Sequence, residues 1–338
     1  MSVLGIGIET SCDETSVAVV RDGREILSNV IYSQVKEHAR FRGVVPEIAS
    51  RAHLEKINPV YAAAMSEAGI TPEELDYIAV TNRPGLVGSL MIGAQLARGL
   101  ALVHDKPIVA VDHVEAHLYA HTLEGGALEY PFLGLLLSGG NSSVYLVHGP
   151  GKLEILADTM DDALGEAFDK TSAILGLAYP GGPVIERTAT EYGQRPDAVS
   201  ADDPLFAPLL KGKRAGEIAF SFSGIKTAVL RASQAGQDPG RVCRDFQATV
   251  FELVERVTRR SVAASGIRRV VASGGVLANR TLRGRLERLA EAEDFQLSYP
   301  QSLRLCTDNG AMIAALGYHL HRGGVTAELD FGVSSRRT

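Results

Sequence analysis

A repeated segment constrains the fold of this chain more than any other feature of its sequence. The two copies are IETSCDETSV at residues 8–17 and LLLSGGNSSV at residues 135–144, which lie 127 positions apart. Each copy is typical of an apolar strand, a tight polar turn and a second β-rich strand. A turn rich in backbone N–H groups and hydroxyls can wrap an anion such as phosphate. The repeat therefore predicts a duplicated lobe with a nucleotide in the cleft between the copies.

The rest of the chain alternates strand-like and helix-like segments, which predicts an α/β architecture. At roughly 150 residues per domain, a length of 338 residues favours about two domains. The expected strands are Val3–Glu9, Ser16–Val20, Tyr77–Thr81 and Ile108–Val111. The expected helices are Pro46–Ala68, Ser89–His104 and Ala311–Leu320.

The composition is that of a soluble globular chain, with 45% hydrophobic residues, 22% charged residues and a net charge of −6. Apolar runs fall far short of the roughly 20 residues that cross a bilayer, and the N-terminus shows no basic segment typical of a signal peptide. The three cysteines, Cys12, Cys243 and Cys306, form no C-x-x-C pair. This pattern favours a reducing compartment, so we expect a cytoplasmic protein without a membrane partner.

The charge is unevenly distributed along the chain. Residues 1–200 carry a net charge of −12, whereas residues 201–338 carry +6. This asymmetry is consistent either with ordinary surface variation or with one lobe suited to an anionic partner. Most of the positive excess comes from arginines at positions 256, 259, 260, 268, 269, 280, 283, 285 and 288.

Two histidines have the spacing of metal ligands. His113 and His117 lie about 40° apart on one face of a helix, which suits two imidazoles on one ion. Glu115 lies on the opposite face, so the general base of an H-E-x-x-H protease is missing. Asp308 is a candidate third ligand, although an N-cap of the helix Ala311–Leu320 is the more common role for such an aspartate. A solvated helix face remains an alternative for the histidines.

Glycine-rich turns follow several apolar strands and allow backbone to approach a ligand closely. Ser138–Gly140 and Ser273–Gly275 follow apolar strands, whereas Gly181–Gly182 lies in the loop Tyr179–Pro183 before a helix. The carboxylates of Asp162, Glu166 and Asp169 recur at the spacing of one helical face, and Asp169 is a candidate acceptor for ribose or adenine.

Some polar segments are expected to be structural. Residues 50–53 (SRAH) favour solvent-facing positions on a helix, and Ser221 and Ser223 favour helix capping. Lys226 is placed to meet an anion.

Taken together, the motifs resemble the TsaD family, the tRNA threonylcarbamoyladenosine transferases once labelled O-sialoglycoprotein endopeptidases. The matches run in order over nearly the whole chain. They are ETSCDET at 9–15, VPE at 45–47 with SRAH at 50–53, PGL at 84–86 with GSL at 88–90, HVEAH at 113–117, SGG at 138–140, GEAFDK at 165–170, YPGGP at 179–183, SGGV at 273–276 with AN at 278–279, and TDNG at 307–310.

The resemblance implies a duplicated fold of the actin, heat-shock chaperone and sugar kinase type (ASKHA, ribonuclease H-like), with two lobes around a central cleft. The expected lobes are residues 1–130 with 307–338, and residues 131–306. The implied reaction moves a threonylcarbamoyl group from threonylcarbamoyl-AMP to the N6 amine of the adenosine 3′ of the anticodon, in tRNAs that read codons starting with A. AMP is released.

The resemblance also implies roles for individual residues. His113, His117 and Asp308 correspond to the ligands of one divalent metal per subunit, usually iron and sometimes zinc. Asp13 and Glu14 are candidates for orienting the amine or accepting its proton. The positions that correspond to adenylate binding are Leu136, Leu137, Ser138, Gly139, Gly140, Asp169, Gly182, Glu186 and Asn279. The implied partners are tRNA, a paralogous TsaB-type subunit and a TsaE-type ATPase.

Three positions depart from patterns common in the family. Asn141 stands where many bacterial relatives have histidine, Arg83 stands where many have glycine, and Leu136 occupies the place of a metal-binding tyrosine in archaeal relatives. These departures leave the fourth metal ligand open, with substrate or water as candidates.

Three other functions remain as alternatives from the residues. A small-molecule kinase of the same fold would use Mg²⁺ and carboxylates rather than paired histidines. A non-catalytic scaffold would not need all three candidate ligands, and a metalloprotease would need a differently placed glutamate. We expect positioning and electrophilic activation rather than nucleophilic catalysis, and we expect the arginine-rich segment 256–288 to help hold tRNA.

Overall fold

The computed structural model describes residues 2–41, 43–210 and 216–336. These residues divide into two compact units. Unit 1 contains the described residues up to Glu129, the short segment Gly149–Lys152 and those from Tyr299 onward, and unit 2 contains Tyr130–His148 and the described part of Leu153–Ser298. Compared with the lobes expected from sequence, unit 1 also takes in 149–152 and 299–306. The division into functional lobes at 130 and 306 stays a prediction.

The secondary structure of the described residues alternates between strands and helices. The strands are β1 (Leu4–Glu9), β2 (Glu14–Arg21), β3 (Glu25–Ser33), β4 (Tyr77–Arg83), β5 (Ile108–Asp112), β6 (Phe132–Leu137), β7 (Ser142–Gly149), β8 (Lys152–Ala157), β9 (Arg269–Ser273) and β10 (Gln296–Ser298). The α-helices are α1 (Val35–Ala39), α2 (Pro46–Ala68), α3 (Val87–His104), α4 (His113–Tyr119), α5 (Leu164–Ile174), α6 (Gly181–Gly193), α7 (Ser223–Gln234), α8 (Pro239–Ser265), α9 (Arg280–Ala292), α10 (Leu303–Cys306) and α11 (Gly310–Arg322).

Each unit is built on a five-stranded mixed sheet, and the two sheets have equivalent strand orders. Unit 1 has the order β3-β2-β1-β4-β5, and unit 2 has β8-β7-β6-β9-β10. In both sheets the central strand pairs antiparallel with the strand that follows it in sequence, and parallel with the other neighbour. The duplication predicted from the repeated segment is therefore confirmed at the level of topology.

The two faces of β1 contact different helices in unit 1. Ile6 and Ile8 are fully buried in the apolar core that also contains residues of α2 and α3. Gly7 faces the opposite way, where a Cβ built on it would lie only 2.0 Å from the Gly310 carbonyl oxygen at the start of α11. The absence of a side chain at Gly7 lets α11 approach the sheet. Residues on this second face of β1 are thereby brought next to α11 and to the segment before it.

The helix expected at Pro46–Ala68 is confirmed with both of its bounds. Pro46 occupies the first turn, where its missing N–H is not needed, and Gly69 ends the helix with a left-handed φ of 67°. The expected strand Ser16–Val20 is longer than predicted and runs from Glu14 to Arg21. Only the polar residues between Glu9 and Glu14 remain in the turn.

One helix in the described part of the chain, α3, has the length and composition of a membrane span. Its buried side chains include Leu90, Ala94, Ala97 and Leu100. Ala97 and Leu100 belong to the core cluster of unit 1. This packing is that of a core helix.

Candidate functional site

Three potential metal ligands from distant parts of the sequence come together in unit 1. His113 and His117 occupy successive turns of α4, and Asp308 lies two residues before α11. Asp112 begins α4 as its N-cap and accepts the backbone N–H groups of Val114 at 2.9 Å and Glu115 at 3.2 Å. A capped helix fixes the direction in which both imidazoles project. The group offers one ligand atom per residue, all within 4.8 Å of one another.

The two carboxylate–imidazole separations fit a tetrahedral metal. Asp308 Oδ1 lies 3.6 Å from His113 Nε2 and 3.2 Å from His117 Nε2. Ligands about 2.1 Å from a tetrahedral zinc lie about 3.4 Å apart. Both ring nitrogens of His117 are buried; Nδ1 lacks a hydrogen-bond partner among the described residues, and Nε2 contacts Asp308 without the geometry of a hydrogen bond. Unpartnered buried nitrogens are costly, and coordination of Nε2 would satisfy one of them.

The helix that follows Asp308 is capped by its neighbour. Asn309 Oδ1 accepts the Met312 N–H at 3.1 Å, and Asn309 is the N-cap of α11. The expectation that Asp308 fills the N-cap is therefore wrong. Because Asn309 does the capping, the Asp308 carboxylate is left to face the two histidines.

The electrostatics of the cluster couple these groups closely. Burial by itself would raise the pKa of Asp308, but His113 and His117 lower it to about 2. Burial opposes the charged form of His113, yet Asp308 and Glu9 raise its pKa to about 9. Burial lowers the pKa of His117. The cluster thus contains an anionic carboxylate beside one histidine that favours the charged form and one that favours the neutral form.

Glu115 lies away from the metal ligands, as the helical spacing predicts. Its side chain is buried, and Oε1 accepts the Gly151 N–H at 2.7 Å. Burial raises the pKa of Glu115 to about 7. A glutamate held in this contact does not supply the general base of a metalloprotease.

The predicted catalytic pair lies at the turn between β1 and β2. Asp13 and Glu14 are half-buried, and Glu14 begins β2. The Ser33 hydroxyl donates to Glu14 Oε1 at 3.0 Å. Burial first, and then the charges of Asp13 and Asp308, raise the pKa of Glu14 well above its usual value.

A buried histidine braces this turn from α2. His53 Nδ1 lies 2.8 Å from the Thr15 hydroxyl oxygen, and His53 Nε2 lies 3.1 Å from the Cys12 carbonyl oxygen. His53 is fully buried, so its predicted solvent-facing position is wrong, whereas the neighbouring Arg51 side chain is 76% exposed. The segment supports the turn that carries Asp13 and Glu14.

The predicted adenylate-binding residues lie in unit 2. Leu136 and Leu137 end β6 with fully buried side chains, so their possible contribution to a ligand is limited to backbone. Ser138 begins the following turn, where its hydroxyl accepts the Asn141 N–H at 3.1 Å. Gly139 and Gly140 are exposed, and a Cβ built on either would meet no atom within 4 Å. Their backbone is open to an approaching ligand.

The other members of this set stabilise helix starts. Asp169 Oδ1 accepts the Gly181 N–H at 2.7 Å next to Gly182, and Glu186 Oε1 accepts the Arg280 N–H at 2.7 Å. Asn279 caps α9 by accepting the Leu282 N–H at 3.0 Å. Asp169 is thus hydrogen-bonded to the start of α6, and Glu186 to the start of α9.

Two buried residues were not predicted as site residues from the sequence, one beside Asn279 and one beside His113. Gln247 Oε1 accepts a hydrogen bond from Asn279 Nδ2 at 2.7 Å. Glu9 contacts His113 and is fully buried. An acidic residue that ends an otherwise apolar strand was the available pattern for Glu9, whereas nothing in the sequence near Gln247 marks it.

The expected acidic face over Asp162, Glu166 and Asp169 is wrong for Asp162. Helix α5 begins only at Leu164, so Asp162 precedes it. Its carboxylate pairs with Lys170 at 2.8 Å and also with Lys226. Lys226 therefore meets a carboxylate of the same unit.

The start of α7 is held by Asp161, which accepts the Ser223 backbone N–H at 3.1 Å, rather than by a serine cap.

Most of the arginines at 256–288 are engaged within the protein. Arg285 forms a two-pronged pair with Glu255 at 2.6 and 2.7 Å, and Arg259 pairs with Glu293 at 2.6 Å. The arginines that donate to backbone carbonyl groups are Arg256, Arg260, Arg268, Arg269 and Arg283. Their predicted role in holding tRNA stays a prediction, and these contacts limit how many guanidinium groups are available for it.

Unit 1 also has an apolar groove between α2 and α3. The groove has a volume of about 530 Å³. Leu54 is 64% exposed beside it, and Leu102 and Val103 are 72% and 74% exposed on α3. Exposed apolar patches of this kind mark interaction surfaces.

Comparisons with known proteins match this chain to the family that its motifs resemble. Residues 25–315 match the family model TsaD, tRNA N6-adenosine threonylcarbamoyltransferase. A protein of that name from Leptospira interrogans is 51% identical over 337 residues, covering 99% of this chain and 98% of the relative. One from Symbiobacterium thermophilum is 44% identical over 330 residues, covering 96% and 94%.

Solved structures with similar folds have low sequence identity. Full-length HypF in its phosphate- and nucleotide-bound form matches with a TM-score of 0.59 at 15% identity, covering 99% of this chain and 56% of that one. Component A of (R)-2-hydroxyglutaryl-CoA dehydratase from Acidaminococcus fermentans matches with a TM-score of 0.52 at 15% identity, covering 96% and 100%. These similarities bear on the fold alone, and they confirm the predicted ASKHA-type architecture.

Proposed function

We propose a division of chemical roles from the premise that this chain belongs to the TsaD family. The chain is accordingly a tRNA N6-adenosine threonylcarbamoyltransferase, which attaches a threonylcarbamoyl group to an adenosine amine of tRNA. The family is metal-dependent, and the chain has a group of residues suited to a metal. The donor, the metal, the residue roles and the partners are the proposed parts.

The observation that carries the proposal is the convergence of His113, His117 and Asp308 at metal-ligand spacing. We propose that they hold one divalent ion, iron in preference to zinc. Bound there, such an ion would supply Lewis acidity to the acyl group of the donor. The donor proposed from the family is threonylcarbamoyl-AMP. Because its acyl–phosphate linkage is already activated, the protein needs chiefly to orient the reactants.

The adenylate part of the donor is assigned to unit 2. The backbone N–H groups of Gly139 and Gly140 are suited to it, because both glycines are exposed and a Cβ built on either would meet no atom within 4 Å. Asp169, Gly182, Glu186 and Asn279 are assigned to the same role. The hydrogen bonds of Asp169, Glu186 and Asn279 to helix starts would keep the loops in position for a ligand.

Glu14 is the stronger candidate for accepting the proton of the attacking amine. Its pKa is raised well above the usual value by burial and by neighbouring charges, which makes its carboxylate a better base. Asp13 is assigned to orienting the amine. In the proposed step, the adenine N6 forms a bond to the carbamoyl carbon, the bond from that carbon to the phosphate oxygen breaks, and AMP leaves as an anion.

The proposed partners beyond tRNA are a paralogous TsaB-type subunit and a TsaE-type ATPase. The apolar groove between α2 and α3 is the suggested surface for the paralogous subunit, because Leu54 and Val103, which line it, are largely exposed. A cytoplasmic location is proposed with these partners and with tRNA.

A reconstituted assay tests the proposed function. Purified protein is combined with the two bacterial partners, threonine, bicarbonate, ATP and unmodified tRNA, and the modified nucleoside is measured by mass spectrometry. His113→Ala should abolish modification and lower the metal content. Arg51→Ala, at an exposed position, is the matched control and should keep both. Normal modification by a metal-free His113→Ala protein would overturn the metal role, and a phosphorylated small molecule without modified tRNA would favour a kinase.

A further inference from the structure

A fully buried carboxylate lies behind the metal group. Glu9, the last residue of β1, has 0% of its surface exposed. Glu9 Oε1 accepts the Ser11 N–H at 2.5 Å, and Glu9 Oε2 accepts the Thr81 hydroxyl at 2.5 Å. Oε2 also lies 3.0 Å from His113 Nδ1. A buried charge is tolerated only when it is paired and hydrogen-bonded, and this carboxylate meets that condition.

The strand pattern explains why a glutamate can occupy this place. Ile8, the residue before Glu9, faces the core beneath α2 and α3. Alternation along the strand turns Glu9 to the other face. The parallel partner β4 pairs its Val80 with Ile8, which places Thr81 alongside Glu9. The position of Glu9 on strand β1 therefore places its carboxylate beside His113.

The contact determines which nitrogen of His113 carries the proton. An ionised carboxylate only accepts hydrogen bonds, so the proton of a neutral His113 lies on Nδ1. Nε2, which faces Asp308, then carries a lone pair. We propose that Glu9 is a positioning residue that fixes the ring orientation and tautomer of His113 for metal binding. Carboxylate–histidine–metal arrangements of this type raise the basicity of the ligand.

The second histidine provides an internal contrast. His117 Nδ1 lacks a hydrogen-bond partner among the described residues, so no carboxylate fixes the tautomer of that ring. Ser11 Oγ lies 3.2 Å from His113 Nδ1 and accepts a bond from it less strongly than a carboxylate does. Loss of Glu9 should therefore weaken one of two imidazole ligands and leave the other unchanged.

Glu9→Gln tests this role because it keeps the shape of the side chain. A glutamine can present either an oxygen or an N–H to Nδ1, so the tautomer is no longer determined. Glu73→Gln is the matched control, since Glu73 also pairs with a histidine, with its Oε1 3.1 Å from His104 Nδ1 on the surface. The full chain is stripped of metal and titrated with Co²⁺ and with Zn²⁺ against a coloured chelator.

We expect Glu9→Gln to weaken Co²⁺ and Zn²⁺ binding by about 10- to 100-fold, with Glu73→Gln unchanged. The ¹⁵N spectrum of the metal-free wild type, recorded at a pH high enough to keep His113 neutral, should show its proton on Nδ1, and the variant should lose that single tautomer. Circular dichroism of the metal-free proteins separates this effect from loss of folding. Thr81→Val, which removes one donor to Glu9 but leaves the carboxylate, should weaken binding less.

The inference rests on the proposed metal site, and the outcomes separate the two. If wild-type protein binds neither ion, the metal site and the role of Glu9 both fail. If wild type binds and Glu9→Gln binds equally well with the same His113 tautomer, only the positioning role is overturned. If Glu9→Gln is too unstable to measure, the ¹⁵N spectrum of the metal-free wild type at that pH still decides, because a neutral His113 with its proton on Nε2 would contradict the proposal.

Discussion

The Glu115 carboxylate accepts the backbone N–H of Gly151 at 2.7 Å, although the two residues are 36 positions apart. The contact joins α4 to the turn between β7 and β8. Burial raises the pKa of Glu115 to about 7. A buried carboxyl group with a raised pKa makes the free energy of unfolding depend on pH.

Glu115→Gln should remove that dependence. From about pH 4.5 to pH 7 the folded protein keeps the Glu115 proton that the unfolded chain loses, so its contribution to stability falls as pH rises and is lowest above pH 7. The variant should match wild type near pH 4.5 and exceed its free energy of unfolding by at most about 3 kcal/mol at pH 8. Urea unfolding from pH 4.5 to 8 measures this. Equal pH profiles for the variant and wild type would contradict the buried charge, and the exposed Glu47→Gln is the control.

Metal binding should release a proton from His113. Although burial opposes its charge, Asp308 and Glu9 raise its pKa to about 9, so metal-free protein carries the proton at pH 7.5. A metal needs the neutral imidazole. Calorimetric Zn²⁺ titrations in buffers of different ionisation enthalpy should show about one proton released at pH 7.5, and progressively fewer above pH 9. Heats that do not depend on the buffer at pH 7.5 would contradict this assignment.

His53→Ala should disturb the turn that carries Asp13 and Glu14. The substitution removes the partner of Thr15 and leaves the Cys12 carbonyl oxygen without its donor. We expect a loss of stability of about 1–3 kcal/mol and a lower kcat for tRNA modification. Arg51→Ala, two residues away at the surface, should alter neither stability nor kcat. A His53→Ala protein with wild-type kcat and stability would show that the turn holds its shape without the brace.

Gly274→Ala should be far more damaging than Gly275→Ala. Gly274 has φ of 100°, and a Cβ there would lie 2.4 Å from the Leu137 carbonyl oxygen. A Cβ on Gly275 would meet nothing within 4 Å. We expect a loss of about 1–3 kcal/mol or more for Gly274→Ala, with weaker AMP binding, because Leu137 leads into the proposed adenylate turn. Thermal unfolding and AMP titration measure both effects, and similar results for the two variants would contradict the steric argument.

Leu102→Asp should weaken binding of the paralogous subunit. The side chain is 72% exposed on α3 next to Val103, which lines the apolar groove, so the change should leave the folded state intact while placing a charge at the edge of the proposed interface. Binding measured by analytical ultracentrifugation should fall at least 10-fold. Leu230→Asp, at an exposed position on α7, is the control. Equal binding by both variants would place the interface elsewhere.

Elements with clear start and stop residues were predictable from sequence. Pro46 and Gly69 bound α2 because one lacks an N–H and the other tolerates a left-handed φ. The repeat at residues 8–17 and 135–144 predicted a duplicated lobe, and the two sheets have equivalent strand orders. The histidine spacing indicated the face of α4 that meets Asp308.

Tertiary context decided the rest. Aspartate and asparagine both make good N-caps, so the adjacent Asp308 and Asn309 were not distinguishable until the backbone placed Asn309 at the first turn. His53 is polar and lies two residues from the exposed Arg51, yet its hydrogen-bond partner Thr15 lies 38 positions earlier in the chain. Contacts between such distant positions leave no local pattern.

The two sheets show how a duplicated scaffold can diverge. Glu9 and Leu136 occupy the same place in the repeat, each fully buried near the end of the central strand of its sheet. In unit 1 the neighbours Thr81 and His113 stabilise a buried carboxylate at this position, whereas unit 2 has an aliphatic residue there. The shared topology thus supplies a location, and the residues around it supply the chemistry. A carboxylate placed at position 136 would lie beside Ser273, where Glu9 has both Thr81 and His113.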